Sequence, residues 1–255
     1  MTRPSSRLTR SVLFASGVFA LRKTDFLLAS YPRSGSTWTR HVLCNLISLE
    51  ECGGREVGGS LNDTMPALGT SNLLRQWRHG TVPRVVKTHS AYSPLFGRTP
   101  AIGLTRDPRD VMVSRYHLVR DRLGSFDGTF AEFIRHPSYG LDSWFRHYLS
   151  WRDRWILVLR YEDLLANPRP EFDRLLRTLR VSCPDELVDE AIERSSFQHM
   201  RQVEQRRRPT ATDASRFYRA GSSGQWSRYF DDADEVHLAA LAARYGVELD
   251  GRGVT

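Results

Sequence analysis

Lys87 and His89 close a short apolar run, Arg84-Val85-Val86-Lys87-Thr88-His89. A neutral imidazole can take a proton from a hydroxyl near working pH, and a cation beside it can stabilise charge that develops on a leaving oxygen. The chain has 8 histidines, so residue type alone does not single out His89. Its place at the tip of an extended segment does. A second cluster is Tyr31-Pro32-Arg33-Ser34-Gly35-Ser36-Thr37-Trp38, which follows the apolar Phe26-Leu27-Leu28-Ala29-Ser30 and opens a helix. Gly35 permits a tight turn, Ser36 and Thr37 bring hydroxyls, and a helix N-terminus aims free N–H groups at an anion. The same residue types also serve as plain turn and cap residues at strand-to-helix junctions. The second glycine and the Lys-Ser/Thr pair of a Walker A loop are missing, which weakens a magnesium-nucleotide kinase reading. The third cluster is Thr105-Arg106-Asp107-Pro108-Arg109-Asp110-Val111, running on to Ser114, Tyr116 and His117. Pro108 suits a first helical turn and Ser114 lies about two turns in, so Arg106 and Ser114 can meet a second phosphate. An Arg/Asp cluster that merely caps the helix is the competing reading.

These residues need a scaffold that brings strand ends together. Asp25 to Tyr31, Arg84 to Lys87, Ala101 to Thr105 and Trp155 to Leu159 are apolar almost throughout and read as buried strands. Ser36 to Leu49, Arg109 to Arg120, Thr129 to Arg135, Tyr139 to Trp151, Arg169 to Leu179 and Asp185 to Arg194 read as helices. The alternation implies an α/β fold, a central parallel sheet flanked by helices, with ligands beyond the carboxyl ends of the strands. No repeat or linker divides the 255 residues, so a single domain, 1–255, is expected. Residues 1–22 form an N-terminal segment that covers the first strand. Its Arg3, Arg7, Arg10 and Ala20 faintly imitate a signal peptide, but the apolar run from Ser11 to Leu21 is too short to span a bilayer. Residues 201–216 are polar, contain Pro209 and lack periodicity, and read as a mobile lid loop. A nucleic-acid patch around Arg206, Arg207 and Arg208 has little support, since no aromatics interleave them.

With 40% hydrophobic and 26% charged residues, the chain is neither disordered nor fibrous. A net charge of +8 points to an anionic partner. Of the 37 basic residues only Lys23 and Lys87 are lysines, so a lysine is conspicuous wherever it occurs. The 3 cysteines lack metal-ligand spacing and fit a reducing, cytoplasmic setting.

The motifs together resemble the sulfotransferases that use 3′-phosphoadenosine 5′-phosphosulfate (PAPS), of the cytosolic small-molecule type. Tyr31 to Trp38 is similar to their 5′-phosphosulfate loop, with Arg33 where Lys is usual, and Thr105 to His117 is similar to their 3′-phosphate motif. Phe217-Tyr218-Arg219-Ala220-Gly221-Ser222-Ser223-Gly224-Gln225-Trp226 resembles a third segment of the family that brings an Arg and backbone amides to the 3′-phosphate, although Ala220 and Gln225 depart from it. Lys87-Thr88-His89 resembles the segment that carries the catalytic histidine. The resemblance spans Asp25 to Phe230 and implies a P-loop-like nucleotide-binding fold, PAPS as donor, adenosine 3′,5′-bisphosphate as product and no metal.

It implies His89 as general base, with Lys87 and Arg33 as transition-state cations and Ser114 as a binding and gating residue. The donor would be held by Arg33, Ser34, Gly35, Ser36 and Thr37 at its 5′ end and by Arg106, Ser114, Arg219, Ala220 and Gly221 at its 3′ end. Trp38, Tyr161, Ser195 and Phe197 would hold the adenine. The acceptor would be a small molecule, with Trp77, Phe126, Phe130, Phe133, Trp144 and Phe145 suiting an apolar or phenolic one, the competing reading being that half of these aromatics simply pack the core. A kinase or a catalytically silent nucleotide-binding module remain the alternatives, and the oligomeric state is open.

Overall fold

Four apolar runs too short for helices become β1 (Phe26–Ser30), β2 (Val85–Thr88), β3 (Ala101–Thr105) and β4 (Trp155–Arg160). In the computed structural model, which describes residues 7–55, 61–207, 221–250 and 253–254, they form one parallel sheet in the order β2-β1-β3-β4. Leu28 pairs with Lys87, Ser30 with Leu104 and Thr105 with Arg160, so all four strands end at one edge of the sheet. The chain steps from β1 to β2 on one side and then crosses to β3 on the other. A crevice therefore opens between the turns that leave β1 and β3.

The helices are α1 (Arg7–Phe19), α2 (Ser36–Cys52), α3 (Leu61–Thr64), α4 (Pro108–His117), α5 (Phe130–Arg135), α6 (Leu141–Trp151), α7 (Tyr161–Ala166), α8 (Pro168–Leu179), α9 (Asp185–Arg194), α10 (Phe197–Arg207) and α11 (Asp232–Tyr245). Alternating residues of the strands feed opposite cores, as the period of two requires. Leu28, Val85, Ile102 and Leu104 pack with Val42, Leu46, Phe172 and Leu175 from α2 and α8. Leu27, Ala29, Val86 and Ala101 pack with Val18 of α1, Phe96 and Trp151. A third cluster, beneath α4, α5, α6 and α11, holds Tyr31, Val111, Phe133, Trp144, Phe145 and Leu238.

At the amino end of the sheet, Arg84 donates to Asp25 through Nε at 3.0 Å and Nη2 at 2.6 Å, and also to the carbonyls of Leu73 and Ala20. A buried charge is tolerable only when its donors are engaged in this way, and here the pairing also fastens the end of α1 to the first two strands.

Two sequence expectations change. Trp155 to Leu159 was expected to be buried on both sides. As β4 it lies at the sheet edge and alternates, with Ile156 and Val158 exposed. Of the expected lid loop, residues 201–207 instead belong to α10, while 208–216 lie outside the described residues. The loop reading rested on missing apolar periodicity, but α10 is mostly polar and buries only Met200 and Glu204.

Candidate active site

A cavity of about 380 Å³ lies at the carboxyl edge of the sheet, walled by the turns after β1 and β3, the tip of β2, and parts of α7 and α10. Arg33, Gly35, Ser36, Thr37 and Trp38 line it from the first turn; Lys87 and His89 line it from β2. Arg106, Ser114, Tyr161, Phe197 and Gly221, also expected, line the rest. Arg33 and Gly221, 188 positions apart, are thus joined by the shared strand edge rather than by proximity in the chain.

The first turn is held in an unusual backbone conformation. Arg33 has φ 78° and Gly35 φ 103°, both in the left-handed region. Only glycine fits at position 35, because a Cβ there would stand 2.8 Å from Cδ2 of Tyr161. Gly35 caps α2 without any side-chain hydrogen bond. Ser34 Oγ and Trp38 Nε1 are buried with no partner among the described residues. A positively polarised helix start with orphaned donors beside it suits a bound phosphate or sulfate.

At the second turn the polar groups are already engaged. Asp107 caps α4 by accepting from the Arg109 N–H at 2.8 Å, and Glu162 accepts from the Asp107 N–H at 3.0 Å. Arg106 lies 4.2 Å over the Tyr161 ring and donates to the Ser222 carbonyl at 3.0 Å, while its Nε is buried without a partner. Arg33 Nε donates to Ser114 Oγ at 2.9 Å and Arg106 Nη1 to the Arg33 carbonyl at 3.3 Å, so the two turns are fastened to each other.

Asp110 is a site residue that sequence reasoning missed. It receives hydrogen bonds from Ser223 Oγ at 3.0 Å and from the N–H groups of Gly224 at 2.7 Å and Trp226 at 3.1 Å. One carboxylate thereby fixes the third segment against the second, and Arg109 stacks on Trp226 with its guanidinium 3.7 Å from the ring centre. The second acidic residue of the Arg-Asp-Pro-Arg-Asp run was the available signal. Gly221 has φ 61°, and a Cβ there would come within 2.4 Å of the Phe197 ring, so this glycine lets the third segment touch α10.

His89 Nδ1 lies 2.7 Å from the Ser30 carbonyl. A carbonyl can only accept, so Nδ1 carries the proton and Nε2 keeps its lone pair. Burial, then the nearby Lys87 charge, push the His89 pKa well below the ordinary imidazole value, so the ring is neutral at working pH. Lys87 is pushed down to about 7, by burial first and then by Arg40 and Arg33. Burial is the larger cause, and the crowding of cations where an anion belongs adds to it.

Not every expected residue reaches the cavity. Ser34 is buried behind the wall. Ser195 is also fully buried, and its hydroxyl is occupied, accepting from Asn45 at 2.8 Å and donating to the Ala191 carbonyl at 2.7 Å. Arg219 and Ala220 lie outside the described residues. None of the six candidate acceptor aromatics is on the cavity wall: Phe133, Trp144 and Phe145 are buried core, Phe126 and Phe130 pack against the same cluster, and Trp77 Nε1 donates to the Val82 carbonyl. Apolar wall residues instead include Val113, Leu118, Leu165 and Met200, none of which the sequence reading singled out.

Comparison with known proteins agrees with this geometry. The family model described as "Sulfotransferase domain" matches residues 23–242. Sulfotransferase 1B1 of Canis lupus familiaris is 31% identical over 260 residues, covering 91% of this chain and 86% of that protein. Sulfotransferase 1A1 of Rattus norvegicus is 29% identical, with 89% and 86% covered. Mouse sulfotransferase SULT7A1 complexed with PAP has a TM-score of 0.68 at 19% identity, covering 94% of this chain and 90% of that one. Retinol dehydratase in complex with androsterone and inactive cofactor PAP has a TM-score of 0.71 at 22% identity, covering 91% and 82%. The matched family model and these relatives show that this chain belongs to the sulfotransferase family.

Proposed function

We propose that this protein transfers a sulfuryl group from PAPS to the hydroxyl of a small apolar or phenolic acceptor, with His89 as general base. The observation that carries the reading is the hydrogen bond from His89 Nδ1 to the Ser30 carbonyl, which leaves Nε2 basic at the cavity wall. The PAP complexes of SULT7A1 and retinol dehydratase support the choice of donor, and the androsterone in the latter supports an apolar acceptor. When bound, PAPS supplies an activated S–O bond, which breaks as the acceptor oxygen bonds to sulfur and leaves adenosine 3′,5′-bisphosphate.

The residues divide that work. His89 Nε2 removes the acceptor proton. Lys87 and Arg33 lie where charge grows on the departing oxygen, and Arg33 acts only by charge and hydrogen bonding, because a guanidinium stays protonated. The first turn and the start of α2 hold the 5′ end. Arg106, Ser114 and Gly221 face the 3′ end, and Trp38 and Phe197 offer faces to the base. The Arg33–Ser114 hydrogen bond suits a gate that keeps the guanidinium occupied until donor and acceptor are both in place. Ser195 serves by supporting α9, not by touching the donor, while the Ser34 hydroxyl stays available beside the start of α2 that holds the 5′ end.

The test is His89→Ala. Turnover of a phenol with PAPS should fall about 100-fold or more while affinity for adenosine 3′,5′-bisphosphate, read by calorimetry, stays within about threefold. Retention of more than about a tenth of the wild-type rate would remove His89 from this role.

A further inference from the structure

Helix α1 has two apolar faces, and only one is used. Phe14, Gly17 and Val18 turn inward: Val18 belongs to the core beside β1, and a Cβ on Gly17 would lie 2.9 Å from Leu68. Leu8, Val12 and Phe19 point outward, 75%, 58% and 84% exposed, and exposed Ala15 continues the same stripe at helical spacing. Leu74 and Leu95 are also exposed, on segments whose neighbouring residues, Leu73 and Phe96, pack against α1. Five of the ten large exposed apolar side chains among the described residues thus belong to α1 and the segments it touches.

Charge is concentrated in the same stretch. Residues 1–24 contain Arg3, Arg7, Arg10, Arg22 and Lys23 and no carboxylate, so they hold +5 of the chain's +8 in under a tenth of its length. Arg10, Arg22 and Lys23 are exposed. The first acid, Asp25, is buried against Arg84 and neutralises none of them. No helix among the described residues is long and apolar enough to cross a membrane, and α1, at 13 residues, is no exception. An apolar stripe with cations at both ends of its helix matches the chemistry of an anionic bilayer surface: acyl chains for the stripe, headgroup charges for the arginines.

We infer that α1 is an interfacial docking helix, which seats the enzyme on anionic lipid through Leu8, Val12 and Phe19 with Arg10, Arg22 and Lys23 as its electrostatic collar. The seat is joined to the acceptor side of the site by packed rings. Phe14 meets Phe96 edge-on at 6.4 Å, Phe96 stacks on Trp151 at 5.5 Å, and Trp151 donates to the carbonyl of Ser90, next to His89. An apolar acceptor dissolved in the lipid would be concentrated near that side.

The experiment is sedimentation of the full chain with vesicles of phosphatidylcholine mixed with phosphatidylglycerol, and with vesicles of phosphatidylcholine alone. The wild type should bind the mixed vesicles and not the neutral ones. Leu8→Asp/Phe19→Asp should weaken that binding at least about tenfold, and Arg10→Gln/Lys23→Gln by about tenfold, with unchanged melting temperature and unchanged turnover of a water-soluble phenol. Failure of the wild type to bind the mixed vesicles overturns the inference. So does full binding by the aspartate variant, which would mark mere electrostatic adsorption. A larger species in gel filtration that the aspartate variant dissociates, without vesicle binding, would reassign the stripe to a second copy of this chain.

Discussion

The turns that follow β1 and β3 look alike in sequence, each a strand end, an arginine, a short polar stretch and a helix. Their helix starts are put to opposite uses. At the first, Gly35 offers no side-chain cap, the backbone is held at φ 103°, and Ser34 Oγ and Trp38 Nε1 have no partner among the described residues. At the second, Asp107 caps α4, Glu162 takes the Asp107 N–H, and Asp110 binds the third segment. Carboxylates thus fill the second helix start while the first stays open for an external anion. A helix N-terminus attracts one negative partner well, and when the protein supplies that partner an incoming phosphate must rely on side chains such as Arg106 and Ser114.

The contrast can be broken most forcefully at its open side. Gly35→Ala places a Cβ against Tyr161 in a backbone region unfavourable to L-residues, so it should destabilise the fold by about 1–3 kcal/mol and weaken adenosine 3′,5′-bisphosphate binding more than about 100-fold. Thermal unfolding and calorimetry measure the two effects, and near-normal binding would mean that the turn is structural only. At the closed side, Asp110→Asn removes charge from three hydrogen bonds, so donor affinity should fall about tenfold while turnover at saturating donor changes little. An equal loss in turnover would place Asp110 in the chemical step instead.

The smallest effect concerns pH. His89 acts when neutral, and its lowered pKa moves the acid limb of kcat/KM below the range of an ordinary imidazole. Lys87 acts when charged, so in the donor-free enzyme kcat/KM for the donor should decline as pH rises through about 7. A bound anion favours the ammonium, so the same limb in kcat should lie higher. Lys87→Arg should abolish the limb in kcat/KM. A limb that persists in this variant belongs to another group.

Much of the site could be read directly because its parts are local. Gly35 at a positive φ, Asp107-Pro108 at a helix start and unbroken apolar runs before each turn obey short-range rules. Errors arose where neighbours distant in sequence decide. Trp155 to Leu159 has the composition of a central strand, yet β4 has a partner on one side only. The candidate acceptor aromatics left two uses open, and Phe133, Trp144 and Phe145, half of them, take the core one under α4 and α11, because burying large rings is a strong drive. Ser195 matched a motif, but contacts with Asn45 and Ala191 occupy its hydroxyl.

The sequence by itself determined the α/β alternation, the order of the three anion-type motifs and the placing of a base at a strand tip, since each depends on residues within a few positions of one another. Only the tertiary structure decided which helix start remains open, because Glu162 and the third segment arrive from far along the chain. It also decided the tautomer of His89 and the lowered proton affinity of Lys87. The Ser30 carbonyl selects the imidazole tautomer from 59 positions away, and burial beside Arg33 and Arg40 lowers the lysine. Proton affinities depend on solvent access and on charges nearby in space, and chain order specifies neither until the sheet brings the strand ends together.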